Sequence, residues 1–166
     1  RADKYVREEM AKWATHAVEG HFEGDRPWAR IDEFVTGLSA QVVGAKSANE
    51  VVVMNSLSVN LHLMLTSFYR PSGTRTRLLI DEGAFCSDHH VARSQVRLHG
   101  LDPAQHLIQL PARAGEHIVR TEDIVAFLEK EGDTIATLLL PGVSFYTGQL
   151  FDMAAITAAA HKKGVL

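Results

Sequence analysis

Four short apolar runs divide this chain, and what lies between them decides the fold. They sit at 51–54, 76–80, 106–110 and 135–140, and each is followed by a corner or loop and then a helical-spacing stretch. Runs this short, rich in branched side chains, read as buried strands, and the stretches between them as amphipathic helices. Repetition of strand, helix and strand implies βαβ units. The fold class is therefore α/β, a mostly parallel sheet with helices on both faces. The run at 135–140 is almost wholly apolar and is expected at the centre of that sheet. Two leading helices come first. One carries Val6, Met10, Trp13, Ala14 and Ala17 and ends at Gly20; the other is capped by Asp32, turns Phe34, Val35, Leu38 and Val42 inward, and ends at Gly44.

Charge excludes some partners. The 166 residues hold 17 Lys and Arg against 20 Asp and Glu, a net charge of −3 with both signs mixed along the chain. That balance makes no electrostatic case for nucleic acid or an anionic membrane surface. No apolar run approaches the roughly 20 residues that span a bilayer, and no signal peptide opens the chain. The single cysteine, Cys86, rules out an internal disulfide framework and suits a reducing, cytosolic compartment. The chain opens at Arg1 directly into a helix. Its last residues, 162–166, read as a helix end, a Gly cap and the start of another strand. The expected organisation is the N-terminal part of a larger domain, with leading helices over 1–47 and βαβ units over 48–166.

In such sheets ligands bind beyond the carboxyl ends of the strands, which directs attention to 55–58, 81–88 and 141–149. At Asn55-Ser56-Leu57-Ser58 a strand gives way to a helix whose apolar face is Leu57, Leu61, Met64, Leu65 and Phe68. Unpaired N–H groups and the positive end of the helix dipole meet there, so a phosphate fits the corner; plain N-capping by the serines fits it equally. No glycine-rich dinucleotide or nucleoside triphosphate motif accompanies it. In the second loop Phe85 offers a face for a flat ring, Ser87 or Asp88 a helix cap, and Cys86 lacks the basic neighbours of an activated thiol. Asp88-His89-His90 reads as solvated surface, because adjacent helical residues diverge and no ligand pair supports a metal. His21 sits in a charged loop able to reach a pocket, and Tyr146 and Thr147 offer hydroxyls between two glycines. No nucleophile, base and carboxylate follow in a triad order.

These stretches, taken together, resemble kynureninase, a pyridoxal phosphate enzyme of the aspartate-aminotransferase fold type. The resemblance rests on Arg26-Pro-Trp28 after Gly20-His21, on Val53-Met-Asn-Ser-Leu-Ser-Val-Asn-Leu-His62, and on Ala84-Phe-Cys-Ser-Asp-His89. Ser94-Gln95, Leu98-His-Gly-Leu101, Glu131-Gly-Asp133 and Gly142-Val-Ser-Phe-Tyr-Thr-Gly-Gln149 extend it to essentially the whole chain. It implies a hydrolase of tryptophan catabolism and NAD biosynthesis that cleaves L-kynurenine, or 3-hydroxykynurenine, at Cβ–Cγ and works as a cytoplasmic homodimer. It also implies that Leu57 and Ser58 hold the cofactor phosphate and that Phe85 stacks on the pyridine ring. Cys86, Ser87 and Asp88 would complete that side, and His21 would contact substrate. Relatives carry Ser or Thr where Pro141 stands, and proline offers neither hydroxyl nor N–H. The Schiff-base lysine and the aspartate for the ring nitrogen are expected beyond Leu166, so no catalytic residue is assigned here. A cysteine desulfurase-like lyase of the same fold type and a non-catalytic binding module are the alternatives.

Overall fold

In the computed structural model, which describes residues 1–166, the chain forms two compact units, Arg1–Asn55 and Ser56–Leu166. The second holds the sheet. Its strands β1 (Arg77–Asp81), β2 (Leu107–Leu110) and β3 (Ile135–Leu139) are all parallel and lie in the order β2-β1-β3. The expected α/β class is what the structure has. The crossovers are helical, with α3 (Leu57–Phe68) leading in, α4 (Cys86–Leu98) and the short α5 (Pro103–His106) joining β1 to β2, α6 (Thr121–Glu131) joining β2 to β3, and α7 (Met153–Lys162) last.

Alternation along β1 sends Leu78 and Ile80 to one face and Leu79 to the other, and all three are fully buried. Leu78 and Ile80 pack with Leu65 and Tyr69 of the α3 region and Val91, Ala92 and Val96 of α4. Leu79 packs with Ile124 and Leu128 of α6, Ile156 and Ala160 of α7, and Phe151. Each such side chain is worth roughly 1.5–3 kcal/mol of burial, so β1 is the strand to which both helical layers adhere. The run at 135–140 was expected to be central; β1 is, because strand position follows from which edges are paired, and β1 alone lies between two others. β3 nevertheless carries bonds on its outer edge. Leu138 N–H donates to the Leu166 carbonyl at 2.7 Å, and Leu166 N–H to that of Ala136 at 3.3 Å, the pattern of a parallel ladder.

Other expectations need correction. Residues 51–54 form no strand, for no ladder partner accompanies them, and Val52, Val53 and Met54 are exposed. In the first unit α1 (Ala2–His16) buries no residue and α2 (Glu33–Val43) only Ala40, so Val6, Met10, Trp13, Phe34, Val35, Leu38 and Val42 face outward. Helical spacing says which residues share a face, and nothing about whether anything covers it. Asp32 precedes α2 without a capping side-chain bond, while Gly44 does end it, in the left-handed conformation at φ 69°. Of the expected apolar face of α3 only Leu65 is buried and Leu61 half-buried, together with half-buried His62 and the buried cap residue Tyr69, while Leu57, Met64 and Phe68 are exposed. α4 begins at Cys86 with Phe85 as its cap residue, so neither Ser87 nor Asp88 caps it. No helix is long and apolar enough to cross a membrane.

Arg75 joins elements far apart in sequence. Its Nη1 donates to the carbonyls of Gly132 (2.9 Å) and Ile135 (3.2 Å), and its Nη2 to that of Lys163 (2.6 Å). These groups lie at the entry to β3 and the end of α7. A Cβ at Gly132 would lie 2.9 Å from Lys163 Cβ, so glycine permits the close approach that the arginine then ties. Charge-assisted bonds to carbonyls are among the stronger ones. Arg75→Ala is expected to cost about 2–3 kcal/mol in urea unfolding, with Arg75→Lys recovering only part because an ammonium cannot span three acceptors in a fixed fork. An unchanged denaturation midpoint in Arg75→Ala would refute that role.

Candidate functional site

The carboxyl ends of β1 and β3 open into a cavity of about 470 Å³ in the second unit. Four elements build it. Leu57 and Leu61 come from the start of α3, Asp81 and Ile80 from the end of β1, Phe85 and Asp88 from the turn into α4, and Pro141, Ser144 and Phe145 from the loop after β3. Asp88 is half-buried and Phe85 is exposed at its rim. Phe145 meets Phe85 edge to face, centroids 4.8 Å apart and planes at 86°. No lysine, arginine or histidine lines the cavity, so its ionisable wall is the two carboxyl groups.

The two helices flanking the cavity are tied together well below it. Gln95 of α4 is buried, and its Nε2 donates to His62 Nδ1 at 2.8 Å and to Thr66 Oγ1 at 3.3 Å, both on α3. That link sets the start of α3 and the start of α4 side by side. Ser56 precedes α3 in an extended conformation, after Asn55 at φ 31°, and makes no capping bond with its side chain. The first-turn N–H groups of Leu57 and Ser58 therefore stay open to an anion. Of the two uses foreseen for the serines, the capping bond is not made.

The residues singled out from sequence divide as follows. Leu57, Phe85 and Asp88 meet at the cavity. Ser58 is half-buried in the first turn of α3 beside them. Ser87 Oγ donates to Asp88 Oδ1 at 3.0 Å and so orients that carboxylate. Cys86 is an exposed free thiol. His21 belongs to the first unit, where its Nδ1 pairs with the Val18 carbonyl at 3.0 Å and its ring stands edge-on to Trp28 at 5.3 Å. In the last loop it is Phe145 that faces the cavity. Tyr146 and Thr147 instead border a neighbouring recess of about 220 Å³, with Glu82, His117 and Gln149.

Asp81 was missed, since at a strand's end an acid looks like the first residue of a loop. It is 4% exposed, and its Oδ1 has no hydrogen-bond partner. Burial, and secondarily the charge of Asp88, push its carboxyl above the ordinary range, against a lowering by its own backbone N–H.

No protein-family model matches the chain. Individual relatives do. The kynureninase of Myxococcus xanthus is 50% identical over 163 residues, which cover 98% of this chain and 38% of that protein. The chain is related to the kynureninases. Those of Koribacter versatilis, 49% identical over 96% of this chain and 38% of the relative, and Rattus norvegicus, 47% identical over 96% and 34%, agree. The chain thus spans under two fifths of the length of the curated kynureninases it matches, and the cavity residues all lie within that shared stretch.

Because the folded Asp81 carboxyl titrates above its unfolded value, the folded state holds that proton more tightly. The group costs no stability below the ordinary carboxylate range, and its penalty grows as pH rises through the raised value. Asp81→Asn should therefore raise the melting temperature by a few degrees at about pH 7, roughly 1 kcal/mol, with the gain shrinking toward about pH 4. A lower melting temperature at neutral pH would contradict this.

Proposed function

We propose that the full-length protein to which this chain belongs is a pyridoxal 5'-phosphate-dependent kynureninase. It adds water across the Cβ–Cγ bond of L-kynurenine, or 3-hydroxykynurenine, releasing anthranilate, or 3-hydroxyanthranilate, and L-alanine. The observation that carries this reading is the cavity where an uncapped helix start, an aromatic face and an oriented carboxylate converge, in a chain about half identical to kynureninases. When bound, pyridoxal phosphate supplies an electron-withdrawing ring that stabilises negative charge developing on an amino-acid substrate.

The residues present fit that group. The N–H groups of Leu57 and Ser58 would hold the phosphate, with the α3 dipole adding to the attraction. Phe85 would cover the ring, itself held edge-on by Phe145. Ser87 engages one oxygen of Asp88 and leaves the other for a polar ligand group. Cys86, exposed at the start of α4, would border that side. The apolar remainder of the wall, Leu61, Ile80, Leu139 and Pro141, keeps water from the ring, and Pro141 contributes shape without a polar contact. His21 would contact substrate, a role that rests on resemblance. The schiff-base lysine would come from outside this chain. We place the protein in the cytosol as a homodimer serving tryptophan breakdown, and read this chain as the N-terminal part of the cofactor-binding domain.

In the full-length protein, kynurenine or 3-hydroxykynurenine should be turned over with release of alanine, and cysteine should not. Phe85→Ala is expected to weaken cofactor retention about tenfold, near the ~1.5 kcal/mol upper range of an aromatic pair. His21→Ala should raise KM more than it lowers kcat. Sulfide release from cysteine, without cleavage of kynurenine, would sink the assignment.

A further inference from the structure

Gln149 ends the motif that starts at Gly142, and its side chain is fully engaged within the second unit. It is half-buried beside the smaller recess and does not line the larger cavity. Its Oε1 accepts from Val119 N–H at 3.1 Å, and its Nε2 donates to the Val119 carbonyl at 2.5 Å. One side chain thus satisfies both main-chain groups of one residue. A carboxamide carries the donor and the acceptor side by side, and a carboxylate lacks the donor. Val119 is a firm anchor. It lies between β2 and α6, and its buried side chain belongs to the core around Leu79, Ile124 and Phe151.

The segment fastened there is a turn closed on itself. Val143 and Leu150 form an antiparallel bridge, Ser144 N–H donates to the Gln149 carbonyl at 2.8 Å, and Gly148 N–H to that of Ser144 at 3.0 Å. Thr147 N–H adds a bond to Ser144 Oγ at 3.3 Å. A turn so closed moves as one piece, and fixing its Gln149 end fixes its tip. The tip carries Phe145, whose ring meets Phe85 at the cavity rim, and Val143 and Ser144 of the same turn line the wall.

We propose that Gln149 is a positioning residue for the cofactor cavity. Its paired bonds to Val119 hold the turn after β3 so that Phe145 stands edge-on to Phe85, the residue that would cover the cofactor ring. The inference rests on the cofactor reading above and deepens it, since the placing of the ring's cover falls to a residue that does not touch the ring. Aromatic pairs depend on both distance and angle. A small swing of the turn is therefore enough to undo the contact, even where the turn itself stays folded.

The test is a double-mutant cycle on the full-length apoprotein, read as affinity for pyridoxal 5'-phosphate in equilibrium dialysis, with melting temperatures taken alongside. Gln149→Ala should weaken binding about fivefold, the order of a neutral hydrogen bond, and Phe145→Ala should weaken it by a similar factor. In the Phe145→Ala background, Gln149→Ala should change affinity less than about twofold, because no ring is left to place. A residue that only stabilised the fold would lower the melting temperature and weaken binding equally in both backgrounds. That result would overturn the inference. So would unchanged affinity in Gln149→Ala or in Phe145→Ala while Phe85→Ala weakens binding. Unchanged affinity in Phe85→Ala overturns the cofactor reading instead. If Gln149→Ala does not fold, Gln149→Glu takes its place in the cycle, since it keeps the acceptor for Val119 N–H and loses the donor to the carbonyl.

Discussion

Burial of β1 on both faces is the constraint on which the second unit depends. Leu78 and Ile80 bind one helical layer to the strand and Leu79 the other, and β2 and β3 extend both contacts through Leu107, Leu110 and Ile135. A parallel strand held this way must leave its carboxyl end free, because each connection departs from that end to return over a face. The cavity is a by-product of that geometry. The last residue of β1 is Asp81, and the turns that follow β1 and β3 necessarily stand around it.

The site is assembled from helix starts rather than from helix faces. α3 contributes open N–H groups, and α4 contributes Phe85 as its cap residue and Asp88 in its first turn. What keeps the two starts together lies deeper, in the bond from Gln95 to His62 between the buried sides of both helices. Arg75 serves the opposite end of the sheet, binding the entry of β3 to the end of α7. The cavity wall joins core residues such as Ile80 to a buried acid, Asp81, whose Oδ1 has no partner within this chain.

The strands at 76–80 and 106–110 were legible from composition within a residue at each end. Residues 51–54 were not, although equally β-branched, because apolarity licenses a strand only where a neighbour offers a ladder. The same limit explains α1 and α2, whose apolar stripes are regular in sequence and exposed in the structure. Phe85 and Asp88 could be picked out as unusual loop residues. Phe145 was passed over for the neighbouring Tyr146, since a hydroxyl in a loop draws attention and direction cannot be read from order.

Alternating short strands and helices determined the α/β class of this protein, and motif order along the chain tied it to the kynureninases, because both are properties of local pattern. Tertiary structure alone decided that β1 is central, that α3 turns His62 and Leu65 inward, and that Asp81 is a buried acid facing a cavity. Those outcomes depend on which surfaces meet, and desolvation, which makes an ordinary aspartate into an unsatisfied one, exists only once they have met.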